Sequence, residues 1–286
     1  NFKGVLNTRG TKFTINSVSK MLSNIRYTGL SAKTAGEMAA RRAVQMLGAA
    51  QIESGKMDLV LEPMIAAQIM GIISSCFSGE AVRKKKSFLA GKLGEAVANS
   101  QLTLIDDGTL DYHMGSASFD GEGMPTQRTV LIENGVLKSY MIDKLNGRRM
   151  GMDATGNCRR QSYLYEPTSR MTNTFIAEGT DKNDDIIASI EYGLYAHSMG
   201  GGSVNPVTGD FNFAVNEGYI VRNGKICEAV RGATLIGKGA DILMDIDMVG
   251  QNLERAQGMC GSSSGSIPTD VGQPMIRVSS ITVGGR

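Results

Sequence analysis

The sequence predicts an α+β fold dominated by antiparallel sheet, with a few helices packed on it. Three observations carry that expectation. Asn-Gly occurs twice between runs of alternating polar and apolar residues, at Asn134-Gly135 and Asn223-Gly224. This is the strongest local hairpin signal, because both turn positions take φ > 0. Glycine is abundant, at 36 residues, while aromatics make up 6% of the chain and Trp is absent. That composition suits many tight turns. Helical periodicity appears only in a few stretches, with neither a βαβ alternation nor an internal repeat.

Taken in order, residues 1–30 alternate weakly around Phe13, Ile15 and Val18 and read as one or two short strands. Thr34-Ala35-Gly36-Glu37 has the form of a capping box. Ala35, Ala39, Ala43, Met46 and Leu47 follow at helical spacing, with Gly48 as the stop. This helix is expected to link an N-terminal remnant, together residues 1–56, to a body over residues 57–286. The chain begins with Asn rather than Met, and residues 1–30 read as the end of something larger. Asp58–Leu61 reads as a buried strand. Glu62-Pro63 then opens an apolar helix to about Phe77, with Pro at its first position. Thr129–Glu133 and Val136–Met141 flank the first Asn-Gly, and Gly218–Arg222 and Lys225–Val230 flank the second. Helices are expected over Asp184–Tyr192 and Ala240–Val249, and a last strand over Ile276–Val283.

Composition narrows the function classes. A formal net charge of +2 gives no electrostatic ground for nucleic-acid or membrane binding. The run Arg83-Lys84-Lys85-Lys86 has no aromatic platform beside it and reads as a solvated loop. The longest apolar run, Met64–Ile73, is broken by Gln68 and is too short to span a bilayer. Four scattered cysteines without a CxxC pair point to a reducing, cytoplasmic compartment. Cys76, Cys158 and Cys227 read as packing residues, His113 as solvent-facing and His197 as an ordinary loop or structural residue.

A series of motifs is more specific. Phe119-Asp-Gly-Glu-Gly-Met-Pro-Thr-Gln-Arg-Thr-Val-Leu-Ile-Glu-Asn-Gly-Val-Leu is followed by Tyr140-Met-Ile-Asp-Lys-Leu-Asn-Gly-Arg-Arg-Met-Gly and Thr155-Gly-Asn. Arg170-Met-Thr-Asn-Thr, Gly200-Gly-Gly, Asn205-Pro-Val-Thr-Gly-Asp-Phe and Gly232-Ala-Thr-Leu-Ile-Gly come next. Met248-Val-Gly-Gln-Asn-Leu, Gly258-Met-Cys-Gly, Gly272-Gln-Pro and Thr282-Val-Gly-Gly close the series. Over residues 57–286 the chain resembles the TldD/PmbA family, also called modulators of DNA gyrase. The resemblance implies an α/β N-terminal domain, of which residues 1–56 hold a remnant, before a sheet-rich C-terminal domain. It implies dimers in which TldD-like members carry zinc and TldE/PmbA-like members pair with them without metal. It also implies peptide-bond hydrolysis on small or unfolded polypeptides, including peptide maturation.

In TldD-like members the resemblance implies zinc held by both His of an HExxxH helix and by a distant Cys, with the Glu as general base. Anchored on Gly91-Lys-Leu-Gly-Glu, that motif falls on Met70–Ser75. The His positions are Met70 and Ser75, and the Glu position is Gly71. A thioether and a hydroxyl are poor substitutes for two imidazoles. Cys260 stands at the family's Cys ligand position. Arg170, Thr172 and Asn173 are candidates for peptide binding through strand pairing, and Gly200, Gly201 and Gly202 for close backbone approach. Asp120, Glu122, Asp143 and Glu166 lie near these motifs without a legible acid/base geometry.

The expectation is therefore a metal-free subunit completing the cleft of an HExxxH-bearing partner that holds the zinc, as a heterodimer or a homodimer. The alternatives are a divergent stand-alone hydrolase with a rearranged site using Cys260, with His197 as a further ligand, or a non-catalytic peptide-binding protein.

Overall fold

A computed structural model of the chain describes residues 32–63, 74–205 and 207–285. The helix α1 (Ala32–Leu47) buries Ala39, Ala43 and Met46 and is followed by β1 (Ala50–Gln51) and β2 (Gly55–Leu61). Next come α2 (Gly79–Arg83), β3 (Leu104–Asp107), β4 (Arg128–Glu133), β5 (Val136–Leu137) and α3 (Lys144–Met150). The short strands β6 (Cys158–Arg159), β7 (Thr168–Ser169) and β8 (Asn173–Ile176) precede α4 (Asn183–Ala188). The long strands β9 (Tyr192–Val204) and β10 (Asp210–Arg222) lead to β11 (Lys225–Arg231) and β12 (Thr234–Lys238). The chain closes with α5 (Gly239–Asp245), β13 (Ile246–Val249), β14 (Glu254–Ser262), β15 (Gly265–Gln273) and β16 (Ile276–Gly284).

The α+β expectation, with extensive sheet, is met. In the larger sheet β9 pairs with β10, β10 with β12, β12 with β16, β16 with β2, and β2 again with β9. The pairing returns to its start, so these five strands close into a small barrel, with β2 covering β9 only at residues 193–196. The far half of β10 stays paired with β9 and takes β11 on its other edge in place of β12, and β11 carries β1. Alternation decides the faces. Leu59 and Leu61 of β2 enter the main core, while Val60 between them joins a second cluster with Ile186, Ile190 and Val221. A second sheet has the order β14-β15-β8-β3-β4-β5 and shares the main core through Leu104, Leu131, Ile132 and Val271.

Both Asn-Gly hairpins form, with φ of 48° and 82° at Asn134 and Gly135, and 49° and 72° at Asn223 and Gly224. Other expectations need correction. The linker helix begins at Ala32, so Thr34 and Glu37 lie inside it rather than capping its start. The strand expected to run to Met141 ends at Leu137, where Lys138 and Ser139 both donate to the Leu131 carbonyl and turn the chain. The helix expected to reach Tyr192 ends at Ala188, because Ile190 and Glu191 give their carbonyls to the Asn223-Gly224 turn. The helix expected to reach Val249 ends at Asp245. Ile246–Val249 pairs with β16 instead, where Asp247 receives a bidentate Arg277. Residues 1–30, and residues 64–73 of the apolar helix, lie outside the described residues. Its last turn, Ser74–Cys76, is helical, with Ser74 and Cys76 buried and Ser75 exposed.

Candidate functional site around Cys260

The site is built on a buried carboxylate. Asp106 of β3 is 1% exposed, and such a group needs its lone pairs filled. The Thr172 amide and hydroxyl donate at 2.8 and 2.7 Å, the Thr174 hydroxyl at 2.7 Å and the Asn157 amide at 2.7 Å. This explains Arg170-Met-Thr-Asn-Thr from the residues up: alternate threonines face the carboxylate. Asn173 points to the other face, where it takes the Gly115 amide and donates to the Asp107 carbonyl and Ser116 hydroxyl.

Beside this ladder, Arg170 reaches the β14–β15 hairpin. Its Nη2 donates to the Cys260 carbonyl at 2.6 Å, and its Nη1 to Ser264 Oγ at 2.6 Å and the Gly265 carbonyl at 3.2 Å. Cys260 is half-buried and packs against the main core. Arg159 of β6 lies alongside, donating through Nη1 to the Met171 carbonyl at 2.7 Å. Met171 also receives the Ser74 hydroxyl on its sulfur at 3.3 Å. The last turn of the apolar helix, Arg159 and the Cys260 hairpin therefore meet around Arg170 and Met171. Burial pulls the Arg159 guanidinium below its ordinary pKa, Asp106 opposes this, Arg170 adds to it and the Cys260 sulfur opposes it.

The other expected site residues are placed as follows. Met70 and Gly71 lie outside the described residues, and Ser75 is on the exposed side of the last turn. Thr172 and Asn173 are buried, and β8 lies between β15 and β3 with both edges engaged. The expectation that this backbone pairs with an extended peptide is thus corrected: its hydrogen bonds are already made. Gly200, Gly201 and Gly202 lie within β9. A Cβ on Gly202 would meet the Asn212 carbonyl at 2.2 Å, so that glycine permits the close approach of β10, whereas Gly201 faces open space.

Neither histidine joins Cys260. His197 sits in the barrel sheet, its Nδ1 2.5 Å from Glu62 Oε2 and its Nε2 2.5 Å from Arg42 Nη2. Tyr195 also donates to Glu62, Arg42 Nε lies 2.9 Å from Glu217 Oε2, and the Tyr219 hydroxyl donates to Glu217 at 2.8 Å. Sequence reasoning missed this cluster. The parallel β2–β9 register that sets Glu62 beside Ala196 and His197 leaves no local signal. His113 is corrected from a solvent-facing residue to a partner of Asp270, with Nδ1 2.6 Å from Oδ2. Asp270 is 2% exposed, and its Oδ1 lacks a partner among the described residues. Cys227 is exposed rather than packed. Asp143 caps α3 through the Asn146 amide, Asp120 accepts the Glu122, Met124 and Cys158 amides, and Glu122 accepts the Lys144 amide.

Among the described residues, no three His, Cys, Asp or Glu gather as a metal-ligand group. Among the described residues, the Arg159 guanidinium bears on the Cys260 sulfur and no group of three His, Cys, Asp or Glu includes it, a donor set that does not fit zinc. Among the described residues, no helix is long and apolar enough to cross a membrane.

Residues 54–285 match a family domain described as the PmbA/TldA metallopeptidase C-terminal domain. A metalloprotease TldD homolog from Haemophilus influenzae is 41% identical over 250 residues, covering 86% of this chain and 52% of the relative. One from Buchnera aphidicola (from Acyrthosiphon pisum) is 46% identical over 209 residues, covering 72% and 43%. The chain thus spans about half the length of the curated relatives it matches. The crystal structure of a modulator of a DNA gyrase from Thermotoga maritima superposes with a TM-score of 0.76 at 26% identity, covering 89% of this chain and 56% of that one. TldE from Thermococcus kodakarensis, at 24% identity and a TM-score of 0.74 over 90% and 56% of the two chains, shares the fold.

Proposed function

Because the chain belongs to the PmbA/TldD metallopeptidase family, we propose that it is the metal-free, peptide-binding subunit of a two-subunit peptidase. The zinc and the hydrolytic water belong to an HExxxH-bearing partner. One observation carries this reading: the Arg159 guanidinium bears on the sulfur of the cysteine expected as a zinc ligand and Arg170 holds its carbonyl, while both histidines of the chain are held elsewhere, by Asp270 and by Glu62 and Arg42. A dication at Cys260 would face the positive charge of Arg159, and neither histidine of the chain is there to ligate it.

In this reading Arg170, Thr172 and Asn173 act on the peptide indirectly. They hold the β14–β15 hairpin and the Asp106 ladder in place, so the Cys260 face keeps its shape. The Gly200–Gly202 run leaves a stretch of β9 with no side chain to obstruct an extended polypeptide, and Gly201 has open space above it. Small or unfolded peptides in a reducing, cytoplasmic compartment are the substrates this reading assigns.

The test is reconstitution. The chain, an HExxxH-bearing paralogue and their mixture are assayed on casein and short peptides. Cleavage is expected only in the mixture, which should elute as one complex. Cleavage by this chain alone would instead make it a divergent hydrolase. Peptide binding without cleavage in any arrangement would make it a non-catalytic binder.

A further inference from the structure

We propose that Arg159 is the anchor of a carboxylate-binding site beside Cys260, so that the peptides this chain takes are recognised through a C-terminal or side-chain carboxylate. The inference rests on the peptide-binding reading above and names the chemistry of the ligand.

The first ground is the unmatched charge. Two guanidiniums, those of Arg159 and Arg170, lie around the Met171–Cys260 junction, and among the described residues neither makes an ion pair within 4.0 Å. The carboxylate that bears on Arg159 is Asp106, and its two oxygens are already filled by Thr172, Thr174 and Asn157. The residues outside the description, 1–31, 64–73, 206 and 286, contain neither Asp nor Glu. No unseen acidic side chain of this sequence is left to supply the missing counter-charge.

The second ground is the division of labour between the two arginines. Arg170 is 5% exposed and spends its donors on the hairpin, at Cys260, Ser264 and Gly265. It is a structural clamp. Arg159 is half-buried and uses one guanidinium donor, to the Met171 carbonyl. That bond fixes the planar fork, while Nε and Nη2 have no partner among the described residues. None of the Arg159 nitrogens counts among the buried atoms without a partner, so these donors have access to solvent. A planar fork held at one corner, with an open side, is the geometry that takes a carboxylate through two parallel N–H···O bonds. Partial burial strengthens such a bond by lowering the local dielectric, and the excluded water makes an unfilled cation costly. On the loop between β6 and β7 the side chains of Tyr163 and Leu164 stand 83% and 76% exposed. They offer apolar surface on the same hairpin for the residues that precede a bound carboxylate.

The experiment is a binding titration on the full chain, and on its complex with the partner, using fluorescein-labelled peptides. Three versions of one peptide are compared: free C-terminus, C-terminal amide, and free C-terminus with every Asp and Glu replaced by Asn and Gln. Each is titrated against wild type, Arg159→Lys and Arg159→Gln, with melting temperature recorded to confirm folding. Loss of the recognised carboxylate should weaken binding by roughly tenfold or more, the range of a charge-assisted hydrogen bond. Sensitivity to amidation identifies the C-terminus as the source, and sensitivity to the Asn/Gln peptide identifies a side chain. Arg159→Gln should erase that discrimination, and Arg159→Lys should retain part of it. Peptide binding that is indifferent to all carboxylates, or discrimination that survives in Arg159→Gln, overturns this inference alone. Failure of every peptide to bind, to the chain or to the complex, overturns the peptide-binding reading with it.

Discussion

Arg42 Nη2 lies 2.5 Å from His197 Nε2, and because a guanidinium only donates, the imidazole accepts there and carries its proton on Nδ1, facing Glu62. This relationship fastens α1 to the barrel. The helix lays Ala39, Ala43 and Met46 on the core, and Arg42, between them, reaches past its own apolar stripe to His197 of β9 and Glu217 of β10. The tautomer of His197 is thereby fixed by its partners.

Arg42→Ala should therefore cost more than an exposed ion pair does. Glu217 is 6% exposed and would be left without its cation. Urea unfolding should show a loss of about 3 kcal/mol, the scale of breaking a buried pair by removing one partner. Glu217→Gln, which removes the stranded charge, should recover part of that loss in the Arg42→Ala background.

Glu62 gives a pH dependence whose sign follows from its surroundings. Burial pushes its carboxyl up, but donors from His197 and Tyr195 and the charge of Arg42 outweigh burial and hold it below its ordinary value of 4.5. A depressed folded-state value stabilises the protein above the unfolded value, and that contribution is lost as pH falls through the folded one. Melting temperature should thus fall below about pH 4.5 in wild type. Glu62→Gln should be less stable at neutral pH and show a shallower acid limb.

The glycine run separates packing from access. Gly202→Ala should destabilise by roughly 1–3 kcal/mol, because its Cβ would sit 2.2 Å from the Asn212 carbonyl and against the Phe213 ring. Gly201→Ala has nothing within 4 Å and should stay within about 0.5 kcal/mol of wild type. Thermal melts of the two variants compare them directly.

Thiol labelling provides an independent check of burial. Burial pushes the Cys76 thiol up to about 11, and burial, followed by the Glu122, Asp120 and Asp143 carboxylates, pushes the Cys158 thiol up as well. Cys227 is exposed and Cys260 half-buried. Iodoacetamide at pH 7.5, mapped by mass spectrometry, should modify Cys227 first and Cys260 next. Cys76 and Cys158 should remain unmodified until the protein unfolds.

What the sequence made legible was local. Both Asn-Gly turns formed with the backbone they imply, and the strands read at Asp58–Leu61 and Ile276–Val283 lie within β2 and β16. The motifs around Arg170 and Cys260 marked residues that do meet in space. What it hid was non-local. Ile242, Ile246 and Val249 have helical spacing, yet Ile246–Val249 pairs with β16, because a partner strand far along the chain offered better burial than another helical turn. The Arg170–Thr174 stretch looked like an open edge, and only the sheet order places β15 against it. The polar partners of both histidines come from distant parts of the chain, so residue spacing carried no trace of them.

The most direct test of the metal-free assignment is elemental analysis of the purified chain and of its complex with an HExxxH-bearing paralogue, both prepared without added zinc. The account predicts far less than one zinc per chain in the isolated protein and about one per heterodimer in the complex, from the partner's single set of two imidazoles and a thiolate with one position left for water. Near-stoichiometric zinc in the isolated chain, lost on Cys260→Ala, would contradict it.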